Sequence, residues 1–436
     1  MNLLFNAISL KIDGDSHSEK IRIKIDGLPS EKIDLEKLFD FMARRKSGKY
    51  AFSTARKEKD EVEFIEGISQ DGKINGRIVA VIKNADVKKS DYDFSATPRP
   101  SHADYVSVVK YGKAFSGGGR FSGRMTVAYV LLGGICSQLL LSRGVSVGAY
   151  ISKIAGLECY TYDDGTPKYE DIAKCHEYKL PIPDEKIIPV ALGKIKSAAE
   201  DKDSCGGETE CVVYGLTAGA GGDTTDGLES KLSAAIFSIP GVKSFESGLG
   251  KKISDLKGSE ANDGFSFSDG KVVTDTNNSG GINGGISNGM PVTIRVSFRP
   301  TPSIGKPQKT VDLSSGEEKI IEIGGRHDPC YVPRAVVVVE SMVAAVILDE
   351  ILRNERRSFR QKIDDIDLKI AELFDERMAL SEAIGKYKKE NNLPLCDKNR
   401  EEEIKNRLIK RYPDRKDEID GLYETIFYLS KEAQKQ

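Results

Sequence analysis

The sequence predicts an α+β domain followed by an all-α domain, and three observations carry that prediction. Residues 1–354 are rich in glycine and hold short runs of alternating apolar and polar residues, the pattern of half-buried antiparallel strands. Segments with apolar residues at helical spacing interrupt those runs. From Arg356 onward glycine nearly vanishes and Lys, Glu, Leu and Ile dominate, so residues 355–436 read as a separate helical domain.

Each element follows from local chemistry. Lys20–Asp26 (KIRIKID) and Glu61–Ile65 alternate with period two and predict strands. Val127–Leu141, Leu228–Phe237 and Arg334–Leu352 repeat their apolar residues every three or four positions and predict helices. The region Leu249–Pro300, rich in Gly, Asn, Ser and Asp, has the composition of a linker. Its tight glycine turns would also let backbone amides approach a phosphate or a cofactor ring. In the helical domain Ser358 and Gln361 have the spacing of a capping box, which places a helix start close to Ser358. Pro394 and Pro413 punctuate the remainder, so helices are expected at 358–391, 397–411 and 414–434.

Composition narrows the function. A length of 436 residues allows two or three domains. Sixty-five Lys and Arg against 67 Asp and Glu leave a formal charge of −2, so no global field favours nucleic acid or an anionic membrane, and any anion must be bound locally. A chain 39% hydrophobic and 30% charged reads as globular and soluble. Val127–Leu141 is broken by Ser137 and Gln138 and falls short of the roughly 18 residues of a membrane helix. The start MNLLFNAISL has no basic region and no cleavage site, so a cytoplasmic location is expected. Seven cysteines without a C-x-x-C argue against a disulfide framework and a zinc ribbon, and no metal is expected. Cys205 and Cys211 are expected to be ordinary buried thiols.

Three of the four histidines lie in polar clusters: Gly14-Asp15-Ser16-His17, Arg99-Pro100-Ser101-His102-Ala103-Asp104-Tyr105 and Arg326-His327-Asp328-Pro329. Singly, each reads more readily as a structural residue in a turn than as a catalyst, and Asp328 before Pro329 suits a turn too. Gly117-Gly118-Gly119-Arg120-Phe121-Ser122-Gly123-Arg124 runs into an apolar helix, where backbone amides and two arginines would hold an anion; a flexible loop is the other reading. Gly219-Ala220-Gly221-Gly222 lacks the acidic residue of a dinucleotide fingerprint.

In this order and spacing the clusters resemble chorismate synthase, over nearly all of residues 1–353. Further matching blocks are Asp203-Ser204-Cys205-Gly206-Gly207, Ser238 to Lys243, Thr276 to Gly281 with Gly284-Gly285-Ile286-Ser287, and Arg299-Pro300-Thr301-Pro302-Ser303-Ile304. The resemblance implies a sandwich of antiparallel sheets around central helices, assembled as a tetramer. It implies anti 1,4-elimination of phosphate and a C6 proton from 5-enolpyruvylshikimate 3-phosphate, with reduced FMN as cofactor. Expelling phosphate calls for cations and a proton donor, and two carboxylates call for guanidinium forks. By resemblance His102 would protonate the departing phosphate, His17 would supply a proton to the reduced flavin, and Asp328 would manage the proton at the flavin N5. Arg45, Arg56, Arg99, Arg124 and Arg326 would line the substrate. Arg120, Phe121, Ser122, Pro240, Gly241, Gly284, Arg299, Pro300, Thr301, Pro302, Ser303 and Arg326 would line the flavin.

Three departures stand out. The family's R-R-R-P-G is Arg44-Arg45-Lys46-Ser47-Gly48 here, and Ala51 stands near a missing arginine. Some family members reduce their own flavin with NADPH through this region, so NADPH is a candidate reductant. Arg299-Pro300-Thr301 replaces K-P-T, and Phe245-Glu246-Ser247-Gly248 replaces E-I-G, read as a packing change.

In the helical domain Ile363, Ile366, Ile370, Leu373, Arg377, Leu380, Ile384 and Tyr387 form a seam at steps of three and four. Arg377 occupies an apolar place in it, and a buried unpaired guanidinium there needs an anion. Lys388, eleven residues on, projects from nearly the same face about 16 Å along the axis. Arg360 lies about 25 Å from Arg377, so on one anion it would belong to a second protomer. The spacing of Arg360, Arg377, Lys388, Asp397, Arg400, Glu401, Ser430 and Gln434 resembles the all-helical chorismate mutases over 358–436. That resemblance implies Claisen rearrangement of chorismate to prephenate. Arg377, Arg400, Ser430 and a second protomer's Arg360 would bind the carboxylates. Lys388 and Gln434 would donate to the ether oxygen, and Asp397 and Glu401 would hold the hydroxyl. Together the two resemblances imply a bifunctional enzyme of small-molecule substrates, a homo-oligomer at least dimeric through its C-terminal helices. A rival reading makes the helical domain a dimerisation or effector-binding module that regulates the synthase.

Overall fold

The computed structural model describes residues 1–46, 58–84, 94–160, 166–324, 328–394 and 396–435. The chain divides into two compact units, Met1–Asn354 and Glu355–Gln436. Arg56 and Arg326 lie outside the described residues, as do Ser47, Gly48 and Ala51.

Two five-stranded antiparallel sheets build the first unit. The first joins β1 (Asn2–Leu4), β2 (Ser9–Asp13), β3 (Lys20–Asp26), β4 (Val62–Ile68) and β5 (Ile74–Lys83) in the order β1-β2-β3-β5-β4. In β3 the alternation puts Ile21, Ile23 and Ile25 inside, and Ile23 pairs with Ile12 on one side and Ala80 on the other. The second joins β6 (Ser146–Ile154), β7 (Leu157–Glu158), β8 (Gly207–Tyr214), β9 (Val242–Ser247) and β10 (Val292–Phe298) in the order β7-β6-β8-β10-β9.

One buried cluster unites both sheets with the helices: Ile21 to Ile25 of the first sheet, Val147, Val213 and Ile294 of the second, and the apolar helices below. The helices are α1 (Leu35–Ala43), α2 (Asp104–Tyr111), α3 (Val127–Leu141), α4 (Val332–Glu390), α5 (Lys398–Arg411) and α6 (Lys416–Lys435), with further helices at Tyr169–Cys175, Ile188–Glu200 and Leu228–Phe237. Twelve residues of α3 are buried, because it is apolar all round and covered all round. Among the described residues Ser116–Leu141 is the one stretch apolar and long enough to cross a bilayer, and 83% of its apolar 18-residue window is buried in protein. At Gly133 an added Cβ would come within 2.3 Å of Ser341 Cα, so α3 and α4 touch backbone to backbone there.

One expectation changes, and one alternative closes. The helix expected to start near Ser358 is continuous from Val332 to Glu390, because no glycine or proline interrupts the chain between Pro333 and Gly385 and a local capping signal cannot stop it. The region Leu249–Pro300 is structured: it holds a hairpin of Phe265–Ser268 with Lys271–Thr274, and all of β10.

In the second unit α4 meets α6 closely at Gly385, where a Cβ would lie 2.7 Å from Gln434 Cα. Ser381 is buried on the same contact face. The apolar seam points elsewhere. Ile363, Ile366, Ile370, Leu373, Leu380, Ile384 and Tyr387 are 48–65% exposed. Arg377 is therefore not an unpaired member of a buried seam: it is half-buried, and its guanidinium donates to the Ser430 hydroxyl and lies 5.8 Å from the Phe427 ring centre.

Candidate active sites

A cavity of about 430 Å³ opens in the first unit, lined by Arg45, Arg99, Arg124, His102, Asp328, Phe121–Ser122, Pro240–Gly241 and Arg299–Ser303. These come from segments far apart in sequence. Gly117, Gly118 and Gly119 have φ of +55°, +84° and +49°, a left-handed run that only glycine adopts without strain. At Gly117 a Cβ would lie 1.8 Å from Cε1 of His17, so the bare glycine is what lets the His17 ring sit against the cavity wall. His17 Nδ1 is 2.9 Å from Ser16 Oγ.

The arginines are held by acids that the sequence did not single out. Asp60, itself at φ +51°, accepts from Arg45 Nη2 at 2.6 Å and from Arg124 Nη1. Burial works to raise the Asp60 pKa, yet Arg45 and Arg124 outweigh it and hold the carboxyl below its ordinary value. Glu58 adds a charge 3.8 Å from Arg124. Arg99 is gripped at both ends of its fork by Asp104 of α2, at 2.7 and 2.9 Å, with its guanidinium 4.4 Å from the Phe94 ring centre. Arg334, at the start of α4, binds Asp328 at 2.5 Å and the Arg45 carbonyl at 3.1 Å, tying the two walls together. Arg334 also lines the cavity with Tyr331. A cation opening an otherwise apolar helix was the signal available for Arg334; Asp60 had none.

His102 Nδ1 lies 2.9 Å from the Pro100 carbonyl, which only accepts, so that nitrogen carries the hydrogen. Nε2 lies 2.7 Å from Ser303 Oγ, and in the neutral ring it accepts the serine proton. Burial, with Arg99 and Arg299 nearby, lowers the His102 pKa to about 4.

Two residues assigned to the flavin lie elsewhere. Arg120 is exposed and stacks 5.3 Å from the Tyr111 and 5.1 Å from the Phe115 ring centres. Gly284 is exposed in the turn between Ile282–Asn283 and Ile286–Ser287. Arg44 is likewise committed away from the cavity, donating to both oxygens of Glu340 at 2.8 and 2.7 Å. Glu246 of the altered block lies 3.4 Å from Arg295, a contact within the sheet.

In the second unit Arg377 meets Ser430, and Lys388 Nζ lies 3.3 Å from Gln434 Oε1. These pairs line the α4–α6 contact. Asp397 caps α5 by accepting from the Arg400 amide at 3.0 Å, the Arg400 side chain reaches Glu403 at 2.6 Å, and Glu401 pairs with Lys431 at 2.8 Å. Arg360 is exposed.

Residues 8–352 match the family model for chorismate synthase. The chain belongs to the chorismate synthase family. It is 41% identical over 351 residues to the chorismate synthase of Thermococcus kodakarensis, covering 79% of this chain and 96% of the relative. With the chorismate synthase of Prochlorococcus marinus it shares 41% identity over 345 residues, 78% of this chain and 94% of the relative. A crystal structure of chorismate synthase has the same fold, with a TM-score of 0.63 at 22% identity, over 80% of this chain and 93% of that one. Residues 359–435 match the model for type II chorismate mutase. The chain is thus a fusion of the two enzymes, one forming chorismate and the other rearranging it to prephenate.

Proposed function

We propose that the cavity of the first unit carries out the elimination with reduced FMN bound against Pro240–Gly241 and Arg299–Ser303, and that Arg45, Arg99 and Arg124 hold the anionic substrate. The observation that carries this reading is that His102, Asp328 and five arginines line one cavity. The residues present fit a flavin. Thr301 Oγ1 is buried with no hydrogen-bond partner among the described residues, and Gly117, Gly118 and Gly241 leave walls bare of side chains. When bound, reduced flavin supplies electron density to the breaking C–O bond.

The chain's own groups do the rest. Arg45 and Arg124 stay fixed on Asp60, so they meet an incoming phosphate or carboxylate without reorganising. His102 is neutral in the free protein, and a phosphate dianion placed beside it favours the imidazolium, so the proton is taken up as substrate binds and passed to the leaving group. Asp328, oriented by Arg334, would manage the proton at the flavin N5 as the C6 proton leaves. His17, whose ring packs against Gly117 of the cavity wall, would supply a proton to the reduced flavin.

In the second unit Arg377 and Ser430 would clasp the chorismate carboxylates and Lys388 with Gln434 the ether oxygen, selecting the compact reactive conformer. The exposed seam supports a dimer through α4 that would bring in a second protomer's Arg360, and a tetramer of dihedral symmetry would serve both activities. The seven free cysteines support a reducing, cytoplasmic setting. The test is full-length protein with chemically reduced FMN and 5-enolpyruvylshikimate 3-phosphate. Phosphate release that His102→Ala abolishes is expected; equal release from both proteins would remove the acid role. Repeating the assay with NADPH as sole reductant decides whether the altered Arg44–Gly48 region still serves flavin reduction.

A further inference from the structure

Cys205, expected as an ordinary buried thiol, is instead half-buried and paired with Cys330 across an isolated parallel bridge, and its amide donates to the Pro329 carbonyl at 2.8 Å. Adjacent strands lie about 4.8 Å apart, inside the roughly 4.4–6.8 Å between Cα atoms that a disulfide spans. The pairing also perturbs the two thiols in opposite directions: the neighbouring Cys330 holds Cys205 below the ordinary thiol pKa, and Cys205 together with burial pushes Cys330 well up. The remaining cysteines of the first unit are different. Burial raises Cys136, Cys159, Cys175 and Cys211, and inert thiols result.

Access and consequence are both built in. Cys205 is half-buried and lines an open surface cavity of about 700 Å³ together with Lys153 and Lys194. Cys330 is buried between Asp328 and Tyr331, which line the elimination cavity. One cysteine thus borders an open cavity and the other is two residues from the carboxylate held by Arg334.

We propose that Cys205 and Cys330 are a redox-responsive dithiol that a low-molecular-weight disulfide converts to an intramolecular disulfide, displacing the Asp328–Tyr331 segment and slowing the elimination. The Cys205 thiolate attacks the small disulfide, forming a mixed disulfide and expelling one thiolate. Cys330 then attacks Cys205, and its proton leaves with the second small thiol. The sum is one small disulfide and two protein thiols giving one protein disulfide and two small thiols. A disulfide fixes the two Cβ atoms about 3.8 Å apart, and a shift of about 1 Å in the segment that carries Asp328 would cost on the order of 10²-fold in a well-positioned site.

The effect on catalysis rests on the synthase activity, and the covalent step is read independently of it. Full-length Cys396→Ser protein, which lacks the exposed cysteine, is incubated with oxidised glutathione and mapped by peptide mass spectrometry. A Cys205–Cys330 cross-link without retained glutathione is expected, with two thiols lost under denaturing titration and both restored by dithiothreitol. Phosphate release should fall at least about tenfold and recover on reduction, while Cys205→Ser in the same background should keep its rate through the treatment. A glutathione adduct alone, an unmodified pair, or a cross-linked protein as fast as the reduced one overturns the proposal, as does equal inactivation of Cys205→Ser. Failure of the untreated protein to release phosphate would count against the synthase reading and leave the mapping result standing.

Discussion

Arg45 Nη2 lies 2.6 Å from the Asp60 carboxylate, and the other oxygen of that carboxylate takes Arg124. One buried acid thus bridges two buried cations. Replacing it with Asp60→Asn leaves the guanidiniums facing each other with Glu58 as the remaining acid nearby. Breaking a buried pair from one side costs about 3–5 kcal/mol, so urea unfolding should show a loss of that order. Added inorganic phosphate should restore part of it, because an anion between the arginines replaces the missing charge. No recovery with phosphate would mean that the arginines do not open onto an anion site.

His102 carries a pH signature. Unfolded, histidine binds a proton below about pH 6.5, whereas folded His102 does so only below about 4. Between those values acid favours the unfolded chain, so the His102 contribution makes stability rise with pH across that window. In His102→Asn the drop in Tm from about pH 7 to about pH 5 should be smaller than in the parent. An unchanged drop would place the His102 titration outside the window.

Ser303 tests the same histidine from its other side. Its hydroxyl is 2.7 Å from Nε2, so Ser303→Ala removes a hydrogen bond worth about 0.5–1.5 kcal/mol and releases the ring. The pH profile of kcat/KM should shift, with a smaller fall in rate than His102→Ala produces. A rate and profile equal to the parent's would show that Ser303 leaves His102 unaffected.

Gly117 is the third handle. Gly117→Ala combines a left-handed φ of +55° with a Cβ placed 1.8 Å from the His17 ring, so His17 has to move. The His17 imidazole resonances should shift and phosphate release should fall, while chorismate consumption by the helical unit stays at the parental rate. Unmoved His17 resonances would contradict the packing.

For the mutase, Arg377→Ala and Lys388→Ala in the full-length chain should each abolish the loss of chorismate absorbance without touching phosphate release. Leu380→Asp on the exposed seam should lower the mass seen in light scattering and the mutase rate together. A mutase rate that survives dissociation would exclude a second protomer's Arg360 from the site.

Much of this was legible in the chain. The alternation through Ile21, Ile23 and Ile25, the apolar continuity of Val127–Leu141, and the clusters around His17, His102 and Asp328 are local signals, carried by neighbours within a few positions. Backbone period and turn chemistry act over such short windows, so the sequence alone determined the elements, the two-part organisation it predicts and the family resemblance. Partner choice was decided by the tertiary structure. Asp60 lies 64 residues from Arg124 and His102 lies 201 from Ser303, while Lys388 and Gln434 are 46 apart. The turn of Arg377 away from the exposed seam, and the run of α4 past the capping signal at Ser358, were settled in the same way. Such pairings follow from which faces are buried against one another, and that packing arises only once sheets and helices share a core.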